Sequence, residues 1–134
     1  MKALKILGIA LVVYVAIVVL FESLLGYFQP EPPGSLTITT TDEDGNTYER
    51  VLTELASDGE VYVAVNHWPR AWYRRTLVNP NVQVSRGGGE AQDYLAVTVS
   101  GEEHARVAED NPLGVVLRLL MGFPPRYFVR LDPA

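Results

Sequence analysis

Residues Val61–Val84 read VYVAVNHWPRAWYRRTLVNPNVQV. Val61 to Val65 form an apolar run with no polar alternation, the pattern of a strand buried on both faces. Pro69 fits the first turn of a helix, where its missing N–H is no loss. Asn66 stands just upstream as a cap. Asn79 and Pro80 end the segment, because the residue before a proline is pushed out of the helical region. The stretch therefore predicts a buried strand, a short helix from Trp68 or Pro69 to Val78, and a second strand, Asn81–Ser85.

The same pattern continues outward on both sides. Upstream, SLTITTT (Ser35–Thr41) is rich in β-branched residues and reads as a strand. DEDGN (Asp42–Asn46) is turn chemistry. TYERVLTEL (Thr47–Leu55) returns as a strand, and SDGE (Ser57–Glu60) turns again, which gives a three-strand meander. Downstream, RGGGE (Arg86–Glu90) is a glycine hairpin. It lacks the strand-to-helix setting and the lysine of a phosphate loop. AQDYLAVTVS (Ala91–Ser100) is the fifth strand. GEEHARVAED (Gly101–Asp110) is a short helix with acids in its first turn. Its Glu102, Glu103, Glu109 and Asp110 are expected to form a solvated face, with His104 solvated as well. After Pro112, LGVVLRLLMGF continues as an apolar helix, and YFVRL (Tyr127–Leu131) is the last strand. Six short strands in mostly sequential hairpins, with a few short helices, predict an α+β fold built on a mainly antiparallel six-stranded barrel.

The N-terminus is of another kind. ILGIALVVYVAIVVLF, Ile6 to Phe21, carries no charge, and LLGYF extends the apolarity past Glu22 and Ser23 to Phe28. About 20 apolar residues span a bilayer as a helix. Residues 1–28 are expected to be a retained single-pass transmembrane anchor, with Glu22 at the far interface. A cleaved signal peptide or a helix lying along the interface is the alternative. QPEPPG, residues 29–34, is a stiff linker, and residues 35–134 make the soluble domain. Lys2 and Lys5 precede the helix, and the next cation is Arg50. The positive-inside rule therefore puts the domain on the extracytoplasmic side.

Composition removes several functions. The chain has 134 residues, room for one soluble domain. A net charge of −5 argues against general nucleic-acid binding. With no Cys and only 2 His, neither a disulfide framework nor an ordinary zinc site is expected.

Against that acidic background, no acid lies between Glu60 and Glu90, while Arg70, Arg74, Arg75 and Arg86 do. On a helix Arg70 and Arg74 share a face, as do Trp68 and Trp72. With the helix N-terminus, these make a candidate anion site beside an aromatic platform. Arginine suits phosphate and carboxylate because its planar fork engages two oxygens. His67 adjoins the cluster as a further donor, and Tyr73 belongs to either site or core. A purely structural reading stays open, in which Trp72 and Leu77 pack the helix on the barrel. Tyr127, at the head of the last strand, is the sole catalytic candidate, with core packing as its alternative. No Ser/His/Asp order, carboxylate pair or metal spacing stands out.

Ala71, Trp72, Tyr73, Asn79, Pro80 and Val82, with the threonine-rich first strand and the closing VRLDP, resemble the deazaflavin-dependent nitroreductase and quinone reductase family. That family has a split β-barrel related to the pyridoxamine phosphate oxidases. The resemblance implies a deazaflavin (F-420 type) cofactor, or FMN, and a quinone-like or nitroaromatic acceptor. It implies that Asn66, His67 and Trp68 form the cofactor turn and that Trp72 and Tyr73 open the helix. Arg70, Arg74 and Arg75 are then the phosphate or carboxylate partners by the charge argument above. The acidic DEDGN turn departs from the cationic turn usual in the family. A membrane anchor would bring such an enzyme to a lipid-dissolved quinone. A reduced cofactor, however, is drawn from the cytoplasm, which opposes the sidedness read from charge. The resemblance also admits a homodimer, for which no residue in the sequence argues. A non-catalytic, membrane-anchored split barrel binding an anionic ligand or partner protein is the alternative function.

Overall fold

The computed structural model describes residues 1–28, 33–65 and 71–134. Ten elements follow in order: α1 (Lys2–Phe28), β1 (Ser35–Thr41), β2 (Thr47–Ser57), β3 (Glu60–Val65), α2 (Ala71–Val78), β4 (Asn81–Ser85), β5 (Gln92–Thr98), α3 (Gly101–Asp110), α4 (Val115–Leu120) and β6 (Tyr127–Pro133). The six strands close into a barrel in the order β1-β2-β3-β6-β5-β4, every neighbour antiparallel. The predicted meander is β1-β2-β3. The predicted RGGGE hairpin joins β4 to β5, with Gly87 and Gly88 both at positive φ. Strands β2 and β6 run past their expected ends, to Ser57 and Pro133, because each pairs there with a neighbour that local sequence does not reveal. The apolar helix expected from Leu113 onward is shorter, Val115–Leu120.

The barrel interior is filled by alternate residues of every strand. Leu36 and Ile38 of β1, Leu52 of β2, Val63 and Val65 of β3, Val82 and Val84 of β4, Tyr94 and Ala96 of β5, and Val129 and Leu131 of β6 form one cluster. Strand β3 is buried on its outer face too. Tyr62 packs there with Val99, Val107 and Phe128 beneath α3. The uninterrupted apolarity of VYVAV thus has its physical cause in two cores, one on each side of the strand.

Helix α3 keeps a solvated face, but part of it is bolted to the barrel. Tyr62 and Arg130 are register partners on the outer surface of β3 and β6. The Tyr62 hydroxyl donates to Glu103 Oε2 at 2.7 Å, and Arg130 Nη1 donates to the same oxygen at 2.8 Å. Arg106 Nη2 donates to the Tyr62 oxygen and Arg106 Nε to Ser57 Oγ. Ser57 Oγ in turn donates to Asp110 Oδ2 at 2.7 Å. The Tyr62 hydrogen bond, then Arg130, holds the Glu103 carboxyl below its usual range. Burial, and then the bond to Glu103, raises the Tyr62 phenol. Of the expected solvated acids, Glu102, Glu109 and Asp110 are exposed, Asp110 while accepting from Ser57, and only Glu103 is half-buried, as the bolt of the helix. His104 is also not solvated. Its ring lies 5.0 Å from that of Phe128, and Nε2 meets the Arg126 carbonyl at 3.0 Å.

Helix α1 is long and apolar enough to cross a membrane, with a mean hydropathy of 2.8 in its best window. A signal sequence near an N-terminus meets the same criterion. The C-terminal part of α1 meets the barrel where β2 pairs on one side only. β2 pairs with β1 along residues 47–53 but with β3 only along 54–57. Arg50, in the half of β2 that pairs with β1 alone, faces Glu22, which is 7% exposed, and its Nη1 reaches to the Gly26 backbone. Burial lowers the Arg50 guanidinium from its ordinary value, and the Glu22 carboxylate opposes that.

The Glu103 network gives a test. A carboxyl lowered on folding contributes stability above its unfolded pKa, and that stability is lost as pH falls through the folded value. Glu103→Gln is expected to destabilise the detergent-solubilised chain at neutral pH by about 1–2 kcal/mol. Denaturant unfolding of both proteins should show the difference shrinking as the medium is acidified below about pH 4.

Candidate functional site

Strands β3 and β4 are not neighbours. In the ring they stand three places apart, on opposite sides. The chain between Val65 and Asn81 must therefore cross one barrel end, and α2 is the described part of that crossing. Its one apolar and one small polar inward residue, Trp72 and Thr76, are four apart and both buried. Trp72 is 6% exposed and belongs to the interior cluster. Thr76 Oγ1 donates back to the Tyr73 carbonyl at 2.6 Å. The helix stops where Pro80 stops it. The Asn79 N–H makes a last bond to Arg75 O, and the Pro80 carbonyl already accepts from Ala96.

Tyr73 and Arg75 flank the buried stripe, and Arg74 points away from it. Arg75 Nε donates to Thr40 Oγ1 at 2.7 Å, and its guanidinium carbon lies 4.0 Å from the centre of the Tyr48 ring. The Tyr48 hydroxyl donates to Asp42 Oδ2 at 3.0 Å, and this hydrogen bond is the main reason its phenol is raised. Asp42 also accepts the N–H groups of Asp44 and Asn46. Desolvation opposes its charge, but the hydrogen bonds from Asn46, Tyr48 and Asp44 prevail and hold it low. The acidic turn thus leans toward the cationic helix through a tyrosine. Arg74 is exposed and makes no hydrogen bond or ion pair among the described residues. Tyr73 is half-buried. It meets Trp72 edge-on, and on its other side it stacks on Tyr127 at 5.6 Å with the planes 7° apart. Tyr127 stands beside Val65 in the register of β3 and β6, at the same barrel end.

Asn66, His67, Trp68 and Arg70 lie outside the described residues. Of the rest, Tyr73, Arg75 and Tyr127 lie at one barrel end, Tyr73 with Tyr127 on one edge of α2 and Arg75 on the other, with Arg74 on the outer face of the same helix. Trp72, expected to offer its ring to a ligand, points into the core instead. Leu77, expected as packing, is exposed. Arg86, counted as an unopposed cation, is paired. It sits past Ser85, at the opposite end of the barrel, and grips both Glu54 oxygens at 3.0 Å. That bond, then one to Tyr94, raises its guanidinium further. The pairing was hidden because Glu54 is remote in sequence and approaches only through β1.

A second feature escaped the sequence reading. Thr39, Thr41, Thr47, Asn79, Asn81, Val82, Gln83, Asp93, Tyr94 and Ala134 line a groove of about 540 Å³. Thr39, Gln83 and Asp93 are successive register neighbours across β1, β4 and β5. The signal was present as polar residues at every second position, Thr37, Thr39, Thr41 and Asn81, Gln83. It needed the β1–β4 pairing to become one surface. The groove begins at Asn79, where α2 ends. Among the described residues no group of three or more His, Cys, Asp or Glu is placed to hold a metal ion.

Solved structures share this fold. The chain has the split-barrel fold. An F420-H2 dependent reductase, FDR-A, matches with a TM-score of 0.51 and 21% identity, over 73% of this chain and 94% of that one. A pyridoxamine 5'-phosphate oxidase-related, FMN-binding protein of Nostoc punctiforme matches with a TM-score of 0.52 and 14% identity, over 75% and 70%. HutZ, a heme storage protein of Vibrio cholerae, matches with a TM-score of 0.53 and 18% identity, over 75% and 82%. At these identities the split-barrel likeness is one of fold. No protein-family model and no curated protein matches the sequence.

The two adjacent arginines of the split barrel's crossing helix should behave differently. Arg75→Ala removes a part-buried hydrogen bond and a cation–π contact and is expected to cost about 1–2 kcal/mol. Arg74→Ala should stay within about 0.5 kcal/mol of the parent. Denaturant midpoints of the two variants check this.

Proposed function

We propose that this protein is a membrane-anchored oxidoreductase that holds a deazaflavin or flavin coenzyme against α2 and reduces a quinone-like or nitroaromatic acceptor. The observations that carry the reading are the Tyr73–Tyr127 stack on one edge of α2 and Arg75 on its other edge, with exposed Arg74 between them, at one end of a split barrel. A flat, anionic-tailed coenzyme needs an aromatic face and cations in reach of each other, and this helix provides both. The fold is shared with an F420-H2 dependent reductase and an FMN-binding protein, which supports the same class. Asn66, His67, Trp68 and Arg70 belong to the proposed site by sequence position.

Bound there, the coenzyme supplies a hydride, two electrons and one hydrogen, to the acceptor. The chain's own residues bind, orient and deliver a proton. Arg74 is the proposed phosphate or carboxylate partner, since its charge is not spent on the fold. Arg75, held by Thr40 and Tyr48, gives fixed positive potential. Trp72 keeps the helix seated. The Tyr127 hydroxyl is the candidate donor of the proton that turns a reduced quinone into a quinol, with solvent restoring it.

The membrane part of the reading rests on α1. The fold gathers cations on the barrel side of this helix: Arg50 against Glu22 and Gly26, and Arg118 with Arg126 near α4. They offset the bias of Lys2 and Lys5 and favour the leaflet richer in anionic lipid, the cytoplasmic one. The proposal places the barrel there, where reduced coenzyme is at hand.

A second reading, a non-catalytic barrel binding an anionic ligand or partner protein, is favoured by the Asp42–Tyr48–Arg75 chain, which puts a carboxylate near the helix. HutZ adds that the fold is also that of a heme storage protein.

Titration of the full-length protein in detergent with deazaflavin coenzyme and with FMN should quench its tryptophan emission, since a flavin-type ring accepts energy even from buried Trp72. Arg74→Ala should raise Kd about tenfold, the worth of one charge-assisted hydrogen bond. Tyr127→Phe should leave Kd unchanged and slow turnover. Binding of neither coenzyme overturns the reading. A reporter fused after Ala134 is expected to be active in the cytoplasm; activity on the other side favours the second reading.

A further inference from the structure

The segment after α3 is apolar and open. On α4, Val115 and Val116 are 75% and 73% exposed, and Leu117, Leu119 and Phe123 are exposed as well. Phe123 has φ 50°, a left-handed conformation that an aromatic residue seldom adopts. The turn is held by the Phe123 N–H on the Arg118 carbonyl and the Gly122 N–H on the Leu119 carbonyl, and it leaves the phenyl ring outward.

The neighbour of this segment is α1. The Tyr14 hydroxyl donates to Leu119 O at 2.8 Å. At Gly122 an added Cβ would stand 3.0 Å from Val18 Cγ1, so only glycine admits this approach. Further along the same helix, Glu22 and Gly26 meet Arg50. These contacts give a ruler. Tyr14 lies near the middle of the uncharged run Ile6–Phe21, and Glu22 lies just beyond its end. Eight residues of helix separate Tyr14 from Glu22, about 12 Å along the axis. If the uncharged run occupies the hydrocarbon, the Glu22–Arg50 level is the interface, and α4 lies well below it. Arg118, the one charge on α4, has a stem long enough to carry its guanidinium up toward the headgroups.

We propose that α4 and the Gly122–Phe123 turn are embedded in the bilayer beside α1, with Val115, Val116, Leu117, Leu119 and Phe123 against acyl chains. The inference rests on α1 spanning the membrane and adds a second, non-spanning element to that contact. It commits to lipid as the occupant because the bare face is continuous with α1 at the depth of the uncharged run.

The chain has no cysteine, so one introduced thiol gives one label. Full-length Val116→Cys, Leu11→Cys and Glu90→Cys proteins would each carry an environment-sensitive fluorophore. They would be reconstituted in phosphatidylcholine–phosphatidylglycerol vesicles, with nitroxide-labelled lipid or aqueous iodide as quencher. The expected result is a blue-shifted emission lost to nitroxide lipid at positions 116 and 11, and loss to iodide alone at 90. Quenching by lipid at 11 with iodide quenching at 116 overturns the embedding of α4 and leaves α1 spanning. Protection of 116 from both quenchers means that another protein copy covers the face, and also overturns it. Absence of lipid quenching at 11 removes the spanning helix and this inference together.

Discussion

Strands β3 and β4 face each other across a six-strand ring, so the chain linking them must cross the barrel's end. That constraint organises the rest. A crossing segment left in water would leave the interior cluster open, and a segment drawn fully inside would strand its polar groups. A two-turn helix with one large apolar residue on its inner face solves both problems. Trp72 fills the end of the core, and Thr76, one turn on, satisfies its own hydroxyl on the helix backbone. Everything functional about α2 follows from that seating. With Trp72 fixed inward, the 100° step between helical residues sends Arg74 outward and leaves Tyr73 and Arg75 at the edges.

The edge residues show how little of a charge cluster is free once a fold closes. Arg75 is taken by Thr40 and the Tyr48 ring, and Arg86 by Glu54 at the far end of the barrel. Arg130 and Arg106 are taken by Glu103, Tyr62 and Ser57. A guanidinium with five donors is an economical way to join strands to helices, and this acidic chain uses its few arginines chiefly for that. Arg74 stands apart because its helix position points to solvent. Arg74 and Arg75, adjacent in sequence, thus differ sharply: one guanidinium is exposed and the other is held by the scaffold.

Outside the barrel, two layers cover two different gaps. Helix α3 lies over the outer face of β3 and β6, where Tyr62, Val107 and Phe128 form a second small core rimmed by ion pairs. Helix α1 comes to the half of β2 that pairs with β1 alone, and Arg50 meets Glu22 there. The barrel's split is thus met by the apolar helix itself, which ties the position of the barrel to whatever environment α1 occupies.

Several features could be read from the residues alone, because local chemistry carries them. The apolar N-terminal run, the β-branched strands, the turns at DEDGN and RGGGE, and the Pro80 stop are of this kind. Each depends on the conformational preferences of a few adjacent residues, and the Trp-Tyr to Asn-Pro spacing added the split-barrel resemblance. What the sequence could not decide was which way each side chain faces once strands distant in the chain pair. Trp72 became core, Glu103 became a bolt, Arg86 lost its freedom to Glu54, and alternate polar residues of β1, β4 and β5 merged into a groove. All of these depend on contacts between residues far apart in the chain. Their strength comes from burial and hydrogen bonding across the closed ring, which local propensity does not encode.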